Sequence, residues 1–141
     1  MKKITTLNLT TLTCALSFST HLYAADLVVY VATVEKAEGK LSMAVYDNEA
    51  DFSKTLAFAQ QLPAVEGEMQ FIFTDLAAGE YAVMVFHDIN DNGKLDTNLL
   101  GMPNEPWGAS LQGKSLFGPP GWSDTRFNFS DDGLSVTITL K

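Results

Sequence analysis

Apolar residues along much of this chain recur at every second position, the period of a strand with one face on a core. Leu41, Met43 and Val45 alternate with Lys40, Ser42 and Ala44. Met69, Phe71 and Phe73 alternate with Gln70, Ile72 and Thr74, and Phe127 and Phe129 with Arg126 and Asn128. At the C-terminal end Leu134, Val136, Ile138 and Leu140 alternate with Ser135, Thr137 and Thr139. Residues 27–32 form a β-branched run that suits a buried strand. Residues 81–86 are apolar throughout, as in a central strand covered on both faces. Turn residues separate these runs at Glu38-Gly39, at 75–79 and at Asp131-Asp132-Gly133. The last of these reads as a hairpin turn joining the final two strands. One segment differs: Phe52, Leu56 and Ala59 fall at helical spacing in residues 48–61, with Asn48 as a cap. That spacing predicts a short helix or an irregular crossover. Six or more short strands with frequent turns predict an all-β fold, an antiparallel β-sandwich.

The N-terminus changes what counts as the folded chain. Lys2 and Lys3 precede an uncharged, Thr- and Leu-rich stretch over 4–20, and Ala24 offers a small residue before a cut. These are the parts of a cleavable secretory signal over residues 1–24, which leaves 25–141 as a single domain. The apolar run is short and broken by Thr and Ser, so no membrane insertion is expected after cleavage. Cleavage takes two of the 9 basic residues and none of the 17 acidic ones, so the formal charge moves from −8 to −10. An acidic chain repels phosphate backbones, which argues against nucleic acid and anionic membranes as partners and is compatible with cations. Cys14, the only cysteine, leaves with the signal, and with Thr11 three residues before it no lipoprotein signal is present. Disulfides, thiol nucleophiles and cysteine metal sites are therefore not expected. The expected location is the periplasm or the exterior.

Residues 88–123 are too long for an ordinary connection and hold four of the five prolines and both tryptophans. Loops of that length are uncommon unless functional. Within it, Asp88-Ile89-Asn90-Asp91-Asn92-Gly93-Lys94-Leu95-Asp96 places side-chain oxygens at positions 1, 3, 5 and 9 and glycine at 6. This is the front of a calcium loop, in which alternate residues of a tight curl aim oxygens at a hard cation. Lys94 would contribute its carbonyl. Position 12 is Leu99 rather than the usual Glu, so a further carboxylate would come from Glu105, or else from Asp124. The expected metal set is thus Asp88, Asn90, Asn92, Lys94, Asp96 and Glu105, with calcium as the ion. The alternative is a loop closed without an ion, in which the Asp and Asn side chains bond their own backbone.

Catalysis finds little support in the residues. His87 is the one histidine beyond the signal, too few for a zinc site. A small enzyme using His87, Asp88 and Glu105 is the alternative, but no nucleophile elbow surrounds Ser110 or Ser123. Trp107, Phe117 and Trp122 either stack on a protein or glycan ligand or pack as a lid. Gly118-Pro119-Pro120-Gly121 reads as a rigid turn. A third reading is a purely structural or adhesive module.

The run from Leu76-Ala77-Ala78-Gly79-Glu80-Tyr81 through His87-Asp88-Ile89-Asn90-Asp91-Asn92-Gly93 to Asp96 closely resembles a bacterial exported-protein family, domain of unknown function 2141. So do Leu100-Gly101-Met102-Pro103-Asn104-Glu105-Pro106-Trp107-Gly108 and Phe117-Gly118-Pro119-Pro120. The resemblance covers roughly residues 39–140. It implies export and no assigned activity, and its Leu-x-x-Gly-x-Tyr segment resembles the turn and strand of transthyretin-like and Ig-like sandwiches; no catalytic residues are assigned. The chain departs from the family pattern at Ala109-Ser110-Leu111, where Phe-Ser-Asn is usual.

Overall fold

The computed structural model describes residues 24–113 and 119–141. The expected signal, apart from Ala24, lies outside the described residues, as do Phe117 and Gly118. Eight strands are described: β1 (Ala25–Val34), β2 (Lys40–Tyr46), β3 (Phe58–Pro63), β4 (Gly67–Leu76), β5 (Gly79–Asp88), β6 (Trp107–Ala109), β7 (Phe127–Phe129) and β8 (Leu134–Ile138). A 3-10 turn covers Ser110–Gln112, and a single helical turn, α1, covers Trp122–Thr125. None of the described helices is long and apolar enough to cross a membrane.

The strands form two sheets, ordered β4-β1-β8 and β3-β2-β5-β6, with β7 also pairing with β5. The period-2 residues meet between them. Leu27, Val29 and Val31 of β1 face Leu41 and Val45 of β2, Val83 of β5 and Ile138 of β8 in one core in which all seven are fully buried. Phe71, Phe73, Phe127 and Phe129 complete it. Tyr81 meets Phe129 edge to face at 5.7 Å and donates its hydroxyl to the Ala77 carbonyl at 2.9 Å. Burying each large apolar side chain stabilises the fold by about 1.5–3 kcal/mol, so the all-β sandwich follows from the alternation.

Three expectations change in detail. Asp131-Asp132-Gly133 is a turn, with Gly133 at φ 77°, but it joins no hairpin. β7 pairs with β5, whereas β8 crosses to the other sheet and runs parallel to β1, the one parallel pair among the described strands. An Asp-Gly turn fixes a local reversal; which neighbour the next strand takes is decided by where Val136 and Ile138 find a core. The 48–61 segment is neither a helix nor a crossover: it is the connection between the antiparallel neighbours β2 and β3 and runs into β3 itself. Asn48 Oδ1 does accept from Asp51 N at 2.9 Å, as a cap does, but Ser53 turns to φ 60° and the coil stops after one turn. Phe52 packs edge-on against Tyr46 and Trp122, and Ala59 belongs to β3. β3 itself carries no clear alternation, because it is a polar edge strand whose last residue, Pro63, suits an edge.

Leu111 adopts φ 56° and ψ 17°. This left-handed region disfavours a leucine and tolerates asparagine. Leu111 is also 61 % exposed, so little burial is lost on replacing it. Leu111→Asn is expected to stabilise the domain by about 0.5–1 kcal/mol. The measurement is a urea midpoint at unchanged m; a lower midpoint would contradict the backbone argument.

Candidate functional site

Strand β5 is the central strand of its sheet and ends at Asp88, which lies opposite Lys40 of β2 in the ladder. Asp88 has no exposed surface. Its Oδ1 accepts from Asn92 N at 3.0 Å and its Oδ2 from Gly93 N at 2.8 Å. The curl needed to reach both donors places Asp91 at φ 58° and Gly93 at φ 80°. Glycine meets the second demand without strain. Lys40 Nζ stands 3.9 Å from Asp88 Oδ2 and 2.6 Å from Asp91 Oδ1. The hydrogen bond to Asp91, aided by the charges of Asp91 and Asp88, raises the Lys40 pKa against a smaller opposing effect of desolvation.

Glu105 closes the loop from behind. It is 7 % exposed, its Oε1 accepts from Ile89 N at 2.9 Å and its Oε2 from Asp96 N at 3.0 Å. Two buried carboxylates thus satisfy four backbone donors of the 88–96 loop. Each such donor left unpaired would cost about 1–3 kcal/mol. Gly39 brings the β1–β2 connection against the same place. A Cβ there would stand 1.9 Å from the Asp88 carbonyl oxygen and 2.7 Å from that of Ile89, and its φ is +63°.

On the exposed side, Asn90, Asn92 and Asp96 come together. Asn90 Nδ2 donates to Asp96 Oδ2 at 2.6 Å, and Asn92 Nδ2 donates to both Asp96 oxygens at 3.0 and 3.1 Å. Asn90 Oδ1 accepts from Asn92 N at 3.1 Å and Asn92 Oδ1 from Lys94 N at 2.8 Å. Among the described residues no three His, Cys, Asp or Glu side chains converge as a metal cluster. What converges is one carboxylate and two amides. Asp124 is engaged elsewhere: its Oδ2 accepts from Gly121 N at the start of α1.

The residues of the enzymatic alternative are enclosed. His87 is 2 % exposed and its Nε2 lies 2.7 Å from the Glu38 carbonyl, which requires the proton on Nε2. Ser110 is fully buried; its Oγ accepts from Val83 N and donates to the Thr125 carbonyl. Trp122 is buried against Phe52, so it packs, while Trp107 is half-covered with Lys141 Nζ 4.6 Å from its ring centre. Lys40 and Gly39 are the contributors that sequence reasoning missed. Gly39 was legible only as a turn residue and Lys40 only as the start of a strand; pairing register brings them to Asp88.

A family model described as an uncharacterized protein conserved in bacteria matches residues 29–137. The chain belongs to this family, DUF2141. The match runs from β1 through the 88–96 loop into β8, so the DUF2141 region contains both sheets and the loop. No curated protein and no solved structure is significantly similar to the chain.

The carboxylate arrangement makes a specific demand on this DUF2141 chain. Glu105→Gln replaces one acceptor oxygen by a donor facing a backbone N–H. It is expected to cost about 1–3 kcal/mol and to speed amide exchange at Ile89 or Asp96 selectively. Urea unfolding and residue-resolved hydrogen exchange check it; unchanged exchange at both amides would refute the role of Glu105.

Proposed function

We propose that the protein is an exported, non-catalytic β-sandwich of the periplasm or exterior whose 88–96 loop takes a calcium ion. The bound ion orders a surface for a protein or glycan ligand. The observation that carries the reading is the meeting of Asn90, Asn92 and Asp96 on the exposed side of the loop. The two amide oxygens now accept from the backbone N–H groups of Asn92 and Lys94, so taking an ion requires the loop to release those two bonds and turn the oxygens toward the Asp96 carboxylate. The Lys94 carbonyl and the second lone pairs of Asp88 add to the set, and water completes the six to eight oxygens that calcium takes. Glu105 serves as the pin that holds Ile89 and Asp96 in place. One carboxylate beside two amides suits a weak site of the extracellular kind, with a dissociation constant of about 10⁻⁴–10⁻³ M.

The non-catalytic reading is supported by the burial of His87, Asp88 and Glu105 and by their bonds to backbone groups. Export is supported by Lys2, Lys3, the uncharged stretch after them and Ala24. A second reading rests on the same hydrogen bonds: they close the loop without an ion. The two differ in one measurement. Calcium at about ten times its dissociation constant adds about 1.4 kcal/mol of stability, a rise in Tm of roughly 3–6 °C over chelator for a domain of this size. Asp96→Ala is expected to abolish that rise. Equal midpoints in calcium and chelator would establish the ion-free loop. N-terminal sequencing of the exported protein is expected to begin at Ala25.

A further inference from the structure

The outer face of the β3-β2-β5 sheet is apolar, and the described residues cover only part of it. Ala44 and Tyr46 of β2 and Ala82 and Met84 of β5 point away from the core. Phe52 of the β2–β3 connection and Trp122 of α1 pack over one end of this face. The rest is a groove of about 470 Å³. Its floor follows from the register. One cross-strand row is Ala59-Ala44-Met84, and the next is Gln61-Ser42-Phe86. Two alanines side by side leave a depression between larger neighbours. Leu56 and Ser53 of the β2–β3 connection and Gly93 and Leu95 of the 88–96 loop line its walls.

Two properties point to an occupant. None of the twelve lining residues carries a charge, in a chain with 17 acidic and 9 basic residues. The volume lies within the ~300–1,000 Å³ of small-molecule sites. The polar groups are few and local. Gln61 Nε2 donates to Ser42 Oγ at 3.1 Å, and Ser53 Oγ donates to Met84 Sδ at 3.8 Å. A charged ligand would leave water for a lining with no partner for it, which is strongly disfavoured. We infer that this groove binds an uncharged, largely apolar small molecule with a ring that lies over Ala44 and Ala59. One polar group on the ligand meets the Ser42–Gln61 pair. The thioether of Met84 and the ring of Phe86 suit an aromatic or alicyclic body. The groove shares Gly93 and Leu95 with the 88–96 loop, but its proposed occupant does not require a bound cation.

The test uses N-phenyl-1-naphthylamine, an uncharged aromatic probe whose fluorescence rises on leaving water, titrated into the purified protein in chelator. Saturable binding in the micromolar range is expected. Ala59→Glu places a carboxylate in the floor from an exposed edge-strand position, where folding tolerates it, and is expected to weaken binding at least roughly tenfold. Ile72→Glu alters an exposed apolar residue of the other sheet and is expected to leave binding within about twofold, since it lies outside the groove. Circular dichroism confirms the fold of each variant. The proposal is overturned by non-saturable fluorescence or by equal weakening in both variants. It is also overturned by a self-association in sedimentation that Ala59→Glu dissolves, since the groove would then be a contact between copies of the chain.

Discussion

Asp88 sits with no exposed surface at the end of the central strand, and backbone N–H groups of Asn92 and Gly93 take both of its oxygens. A strand that ends inside a sandwich has to turn its backbone out through a region where unpaired donors are costly. Asp88 solves the first half of that turn and Glu105 the second, by accepting from Ile89 and Asp96. The rest of the region is arranged around this. Gly39 leaves room for the Asp88 carbonyl, and Lys40 brings a positive charge to the Asp88 and Asp91 carboxylates. The pull of Asp91 raises the Lys40 pKa, so the stabilisation that the pair supplies is present below the ordinary lysine pKa of 10.5 and is lost as pH rises through the higher folded value. The pair is partly solvated, which keeps its contribution small.

The same sheet is asked to be apolar on both faces. Its inner face meets β1 and β8 in the main core, and its outer face carries Ala44, Tyr46, Ala82 and Met84. That explains why residues 81–86 lack alternation. It also explains the β2–β3 connection and α1. A second apolar layer needs a cover, and Phe52 and Trp122 provide it over Tyr46. Trp122 is therefore buried by structural demand rather than displayed for stacking. The cover stops short of Ala59, Ala44 and Phe86, where the groove begins.

Period-2 patterning was enough to place β2, β4, β7 and β8, because each has an inward face that must be apolar, while β1 and β5 were legible as continuous apolar runs. β3 escaped because an edge strand with exposed Phe58, Ala59 and Gln61 buries too little to leave a pattern. β6 is three residues long, too short for any period to be seen. Pairing was the larger loss. Val28 against Ser135 in parallel, or Lys40 against Asp88, are facts of register, and register is settled by distant packing rather than by local composition. The loop itself was legible as an oxygen-rich curl because Asp, Asn and Gly have local chemistry. The assignment of Glu105 to its backbone was not, since position 105 reaches the loop only once β6 is laid beside β5.

The loop and the groove meet in two residues. Gly93 gives its N–H to Asp88 and also lines the groove, and Leu95 lies between Lys94 and Asp96 while its side of the chain closes the same wall. Chemistry is sharply divided across that short span. The charges of Asp88, Asp91 and Asp96 lie on one side, and an uncharged apolar lining lies on the other. A curl held by backbone bonds to buried carboxylates moves as a unit, because shifting Gly93 breaks its bond to Asp88. Whatever tightens the loop therefore fixes the groove wall. A ligand pressed against Leu95 likewise restrains the carboxylate beside it. Such coupling is reciprocal by thermodynamic necessity. The sandwich thus places an oxygen-rich loop and an apolar site in mechanical contact, and the two proposed binding events, although separable, act on one shared piece of backbone.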